Sequence, residues 1–177
     1  MARFSAVLEP WRHWQPVLRV ETLALVASLY FSIACNSLFW RSSLASRSFA
    51  HADTWLFAAG LFIVVTTIHF LLLCIFLNRW TAKPVLALLI VITAFAVYYM
   101  NTFTVFLDPS MLRNVLRTDA KEAGELLSIG MLPQLLFFAG LPVLLLSRIR
   151  LHNETVRRAL LIRVLALFLA VLAGAGL

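Results

Sequence analysis

Charge is scarce in this chain. Only 13% of its 177 residues are Asp, Glu, Lys or Arg, where a soluble domain carries roughly 25%. A surface wetted on all sides cannot be built from so few, so no soluble core is expected. Acid is scarcer than base, eight Asp and Glu against fifteen Lys and Arg. Cysteine is nearly absent. Cys35 in "SIACNSL" and Cys74 in "LLLCIFL" both fall inside apolar runs, without the spacing of a metal site. A disulfide framework needs more pairs in a shorter soluble chain, so both read as packing residues. The four histidines are scattered, and no HExxH, P-loop, GxSxG or CxxC occurs. The opening "MARFSAVLEPWRHWQPVLRV" is amphipathic and lacks the apolar core of a cleavable signal peptide.

Hydrophobic residues fill the space, at 62% of the chain. A transmembrane helix takes about 20 apolar residues. The runs here are continuous, unlike the alternation over about 10 residues that marks barrel strands. The expected fold is an all-α membrane protein with about five transmembrane helices plus an interfacial helix. The spans fall at about 20–40, 54–77, 84–106, 131–147 and 159–177, the fourth interrupted by Pro142. An amphipathic segment, 108–130, separates the third from the fourth.

Lys and Arg give the orientation. With the N-terminus inside, the inner segments hold ten of them: Arg3, Arg12, Arg19, Arg79, Lys83, Arg148, Arg150, Arg157, Arg158 and Arg163. The outer segments hold five, Arg41, Arg47, Arg113, Arg117 and Lys121. The excess of basic residues lies on the cytoplasmic side of membrane proteins. The net charge of +7 then reads as anchoring to anionic inner-leaflet lipid. No basic cluster sits on a soluble domain, so no nucleic-acid partner is expected. The 108–130 segment faces outward, and so does the end of the fifth span at Leu177. A last span that stops there suggests a chain whose external part would follow.

The segment "MLRNVLRTDAKEAGELL" concentrates three basic and three acidic residues. Asp108 can cap a helix, Pro109 suits a first turn and Gly130 an end. On a helical wheel Leu112, Val115, Leu116, Ala123, Leu126 and Leu127 share one face, the pattern of a helix lying in the membrane interface. Asn114, Thr118 and Glu122 recur four apart and line one edge. An amide, a hydroxyl and a carboxylate in a row suit a small zwitterion, with Glu122 pairing its ammonium group. Arg113, Arg117 and Lys121 form a second stripe suited to lipid phosphates. A second reading makes Asp119 and Glu122 a capping box at a helix restart. Within the spans Asn36, Thr66, Thr67 and His69 are the notable polar residues. His69 is a functional candidate or the source of a helix–helix hydrogen bond. The chain of intramembrane ionisable groups that ion transport wants is missing.

The stretch "YYMNTFTVFLDPSMLRNVLRTDAKEAGELLS" resembles the segment after the third span of the lipid A phosphoethanolamine transferases, a family that includes the mobile colistin-resistance enzymes. The run N-x3-T-x3-E carries that likeness, and "LYFSIACNSLFW" is similar to the family's first span. Phe103-Thr104 departs from the pattern, which often has Tyr-Gly there. The resemblance implies five spans in the bacterial inner membrane, with the N-terminus cytoplasmic and the C-terminus periplasmic. It implies phosphatidylethanolamine as donor and a lipid A phosphate as acceptor. It also implies a periplasmic catalytic domain that holds zinc and a threonine nucleophile. By position Asn114, Thr118 and Glu122 become the membrane domain's share of the donor site. The catalytic domain and its zinc are not in these 177 residues, so the chain alone is expected to be inactive. A small transporter or channel subunit, or a membrane scaffold protein, are the other readings.

Overall fold

The computed structural model describes residues 15–104, 129–152 and 156–175, together with Arg113 and Arg117. A short strand β1 (Val17–Arg19) leads into α1 (Val20–Ala34) and then α2 (Ser37–Leu44). Two long helices follow, α3 (Ala52–Phe76) and α4 (Ala82–Phe103). Next come α5 (Ile129–Arg148), β2 (Arg150–His152) and α6 (Val156–Ala175). The fold is helical, as expected. By length and composition, α3, α4 and α5 can each cross a membrane, and α1 with α2 makes a fourth crossing if the bent pair is one span. The fifth expected span falls on α6.

The first span was expected as one helix over 20–40, and it is broken instead. The axis bends by 59° between α1 and α2. No Gly or Pro forces the break. It is braced by side chains that bond back to carbonyls at the end of α1, of which Phe31 also keeps the Cys35 N–H at 3.3 Å. Asn36 Nδ2 donates to the Phe31 carbonyl at 3.0 Å, and Trp40 Nε1 to the Ser32 carbonyl at 2.7 Å. Backbone groups in lipid need such partners, because no water replaces them.

The α5 span is also irregular, and Pro142 is the cause. It has no N–H to give to Phe138, four residues back. The helix responds with a π-turn over Leu136–Gly140. The hydroxyl of Tyr30 on α1 then donates to the Phe138 carbonyl, so a neighbouring helix makes good what proline removed.

Packing sorts the elements into two ends. The strands β1 and β2 pair in parallel, with Val17 opposite Arg150 and Arg19 opposite His152. Lys83 Nζ donates to the Ser147 carbonyl at the same end, at 3.1 Å. At the other end Ser37 Oγ donates to Asn101 Oδ1 at 3.1 Å. The helices α1, α3, α4 and α5 thus alternate in direction. The helix α3 packs against both α1 and α6, and α4 against α5. Along α1, Ala24, Ser28 and Ser32 recur every four residues with no exposed surface. Small residues at this spacing let helix backbones come close.

Among the described residues one backbone position is strained. Thr104 closes α4 with φ 53°, in the left-handed region. Glycine takes that region freely, while a residue with a Cβ atom is disfavoured there by roughly 1–2 kcal/mol. It is the position where the resembling family often has glycine. Thr104→Gly should therefore stabilise the fold, by up to about 1 kcal/mol after glycine's greater unfolded-state entropy is subtracted. A thermal midpoint in detergent that rises for Gly and not for Thr104→Ser checks this.

Candidate functional site

The segment singled out in the sequence joins the end of α4 to the start of α5, at the end of the bundle marked by Ser37 and Asn101. Arg113 and Arg117 are both helical and exposed. Four residues apart on a helix, they stand one turn from each other on one side. Asn114, Thr118, Lys121 and Glu122 lie outside the described residues, as does Asp119. The structure thus places two members of the basic stripe and does not speak to the stripe expected to meet a zwitterion.

The surroundings of that segment are described. Tyr98, Tyr99 and Phe103 follow one another along the last turns of α4, with Tyr99 stacked on Phe103 at 6.1 Å between ring centroids. Across from them α2 carries Phe39 and Trp40, edge to face at 5.4 Å. Aromatic rings of this kind belong to the level of lipid headgroups. The turn from α2 into α3, read from the sequence only as a polar loop, is more ordered than that. Thr54 Oγ1 donates to the Ser48 carbonyl at 2.7 Å and Trp55 Nε1 to the Phe49 carbonyl at 3.0 Å. The Arg47 guanidinium lies 3.6 Å from the centre of the Phe57 ring, a cation–π contact. Phe49 and Trp55 in the sequence were the signal for this elbow. One end of the bundle therefore presents an aromatic belt with Arg41 and Arg47 exposed beside it, and the segment that leaves this end carries the exposed Arg113 and Arg117. Such a surface can hold lipids by phosphate and tail together.

Inside the bundle, Cys35 and Cys74 are both buried. Thr66 and Thr67 are buried, and the Thr66 hydroxyl finds no hydrogen-bond partner among the described residues. His69 bonds within its own helix, Nδ1 lying 2.8 Å from the Val65 carbonyl oxygen, where a bond between helices was one expectation. Glu21 opens α1 almost fully buried, with one carboxylate oxygen unpartnered among the described residues. Its place at the edge of a span hid it from the sequence reading. Among the described residues no three His, Cys, Asp or Glu side chains come together. These residues offer no seat for the zinc that the resemblance implies, and no step is routed through a metal here.

Comparison with known proteins completes the picture. The profile of the family described as "Phosphoethanolamine transferase EptA/EptB" matches residues 65–177. The phosphatidylethanolamine transferase Mcr-1 of Escherichia coli is 28% identical over 155 residues, which cover 87% of this chain and 28% of that protein. The phosphoethanolamine transferase EptA of Escherichia coli K12 is 27% identical over 150 residues, 84% of this chain and 27% of its own length. The chain thus spans less than a third of either relative. The structure of the integral membrane protein lipooligosaccharide phosphoethanolamine transferase A from Neisseria meningitidis superposes with a TM-score of 0.77, over 90% of this chain and 30% of that one. At 23% identity that likeness concerns the fold.

Proposed function

Because the chain belongs to the phosphoethanolamine transferase EptA/EptB family, whose profile covers more than half of it, we propose that it is the membrane domain of an enzyme that moves phosphoethanolamine from phosphatidylethanolamine to a phosphate of lipid A. In this reading it sits in the bacterial inner membrane with five crossings, α6 being the last. It anchors a periplasmic catalytic domain, to which the zinc and the threonine nucleophile belong. The amphipathic segment over 108–130 helps to bind the donor lipid. Asn114 and Thr118 hydrogen-bond its headgroup and Glu122 pairs with its ammonium. Arg113, Arg117 and Lys121 meet phosphates in the same leaflet. The observation that carries the proposal is the family match, because it runs through the whole charged segment. The aromatic belt and exposed arginines at that end of the bundle supply the surface on which two lipids could be brought together.

The test is a chimera. The chain joined to the part of Mcr-1 outside the matched segment should add phosphoethanolamine to lipid A in cells, read by mass spectrometry of the extracted lipid. The 177 residues expressed alone should leave lipid A unchanged, with or without added zinc. A chimera that reaches the membrane and leaves lipid A unmodified, beside an active Mcr-1 control, sinks the proposal.

The sidedness has its own test. Cysteines at Ser110 and Asn153 can be probed with a membrane-impermeant thiol reagent in intact cells. The native thiols, both buried, contribute little background. Position 110 should label and position 153 should not, from the ten-to-five distribution of Lys and Arg. The opposite pattern overturns the orientation.

A further inference from the structure

The cleft beside His69 has no part in the reaction above. It lies between α1, α3 and α4, holds about 340 Å³, and is walled by Phe31, Asn36, His69, Leu72, Phe76 and Thr93 among others. Leu72 and Phe76 are more than half exposed, on a helix long and apolar enough to cross a membrane. What enters from that side is lipid tail. Among the described residues no carboxylate, ammonium or guanidinium lines the cleft, so none of them calls for a charged ligand.

The chemistry of the walls is nonetheless one-sided. The His69 ring is held twice, by stacking on Phe31 with centroids 6.2 Å apart and by the contact of Nδ1 with the Val65 carbonyl. A carbonyl only accepts, so Nδ1 carries the hydrogen, and in the neutral ring Nε2 is left as an acceptor. No second hydrogen bond to the ring is found among the described residues. Asn36 spends an amide hydrogen on Phe31, and its Oδ1 is a further acceptor near the outer mouth. A plain hydrocarbon leaves these lone pairs unmatched in an apolar place, while a chain with a hydroxyl group matches one of them. Depth narrows the choice again. His69 stands seven residues from the end of α3 at Phe76, about 10 Å along the axis. That is well inside the hydrocarbon, out of reach of a phosphate or ammonium headgroup.

We propose that the cleft binds a single lipid chain bearing a hydroxyl group, with the apolar stem along Leu72 and Phe76 and the hydroxyl hydrogen donated to His69 Nε2. The proposal does not depend on the transferase reading, and its test reads binding alone. The full chain in lipid nanodiscs is irradiated with a stearoyl probe carrying a photoreactive diazirine. Methyl hydroxystearate and methyl stearate then compete for the site. The hydroxylated ester should compete roughly three- to tenfold better, the worth of one neutral hydrogen bond. The cross-links should map to the walls named above. His69→Phe keeps a ring against Phe31 and removes the acceptor, so it should abolish the preference and retain the cross-link. Leu72→Trp fills the cleft and should remove the cross-link. The His69 Nε2 nitrogen resonance of the wild-type chain, which needs no variant, should move with the hydroxylated ester only. Equal competition by the two esters, a preference that survives His69→Phe, an unmoved resonance, or cross-links elsewhere overturns the proposal.

Discussion

Ser28→Leu should lower the thermal midpoint of the detergent-solubilised chain sharply, with a loss of at least about 1–3 kcal/mol. Ser28 has no exposed surface and stands between Ala24 and Ser32, which have none either. The stripe lies on α1, whose most extensive helix partner is α3. In a bilayer the hydrophobic effect does not press helices together, and close backbone approach does more of the work. A leucine at the centre of the stripe pushes the helices apart and removes the contacts on either side of it. The hydroxyl itself matters little, because Ser28 Oγ donates to the Ala24 carbonyl of its own helix at 2.7 Å. Ser28→Ala should therefore leave the midpoint nearly unchanged. The pair separates steric from polar effects: a leucine variant as stable as the alanine variant would mean that the stripe is not a helix–helix contact.

The second large effect concerns the donor lipid. Under the transferase proposal, Glu122→Gln should weaken binding of phosphatidylethanolamine more than Thr118→Val does. A hydrogen bond to a charged group is worth about 1.5–3 kcal/mol, against roughly 0.5–1.5 for a neutral one. The upper figure is more than a hundredfold in affinity. Phosphatidylglycerol has no ammonium group, and its binding should hardly respond. The capping-box reading of Asp119 and Glu122 gives a different pattern, since glutamine serves as well as glutamate in that position. Affinities of the isolated chain for the two lipids, with helix content followed by circular dichroism, distinguish them. Unchanged affinity for both lipids would leave Glu122 a structural residue.

The regular part of the fold was legible because continuous apolar runs have few solutions in lipid. The second and third spans were expected over 54–77 and 84–106, and the helices found there are Ala52–Phe76 and Ala82–Phe103. The break at Cys35 and Asn36 was not legible. It depends on where the side chains of Asn36 and Trp40 reach, and hydrophobic periodicity does not encode reach. Pro142 announced an irregularity, but its remedy comes from Tyr30, 108 positions from the Phe138 carbonyl it meets. The two strands were invisible, since "VLR" and "RLH" look like the fringes of neighbouring spans. Of the charged segment, the helical spacing of Arg113 and Arg117 was legible from pattern alone. The roles of Asn114, Thr118 and Glu122 were suggested by residue chemistry and sharpened by likeness to a family.

The pairing of β1 with β2 also sets an order of events during synthesis. Val17 cannot find Arg150 until the ribosome has made α1 through α5. Local helices form in microseconds or faster, whereas contacts between distant segments come late. The first helix therefore enters the membrane unclasped and stays so until Arg150 has been made. A nascent chain arrested short of Arg150 would hold α1 by its helix contacts alone, and the clasp would close only after β2 has emerged.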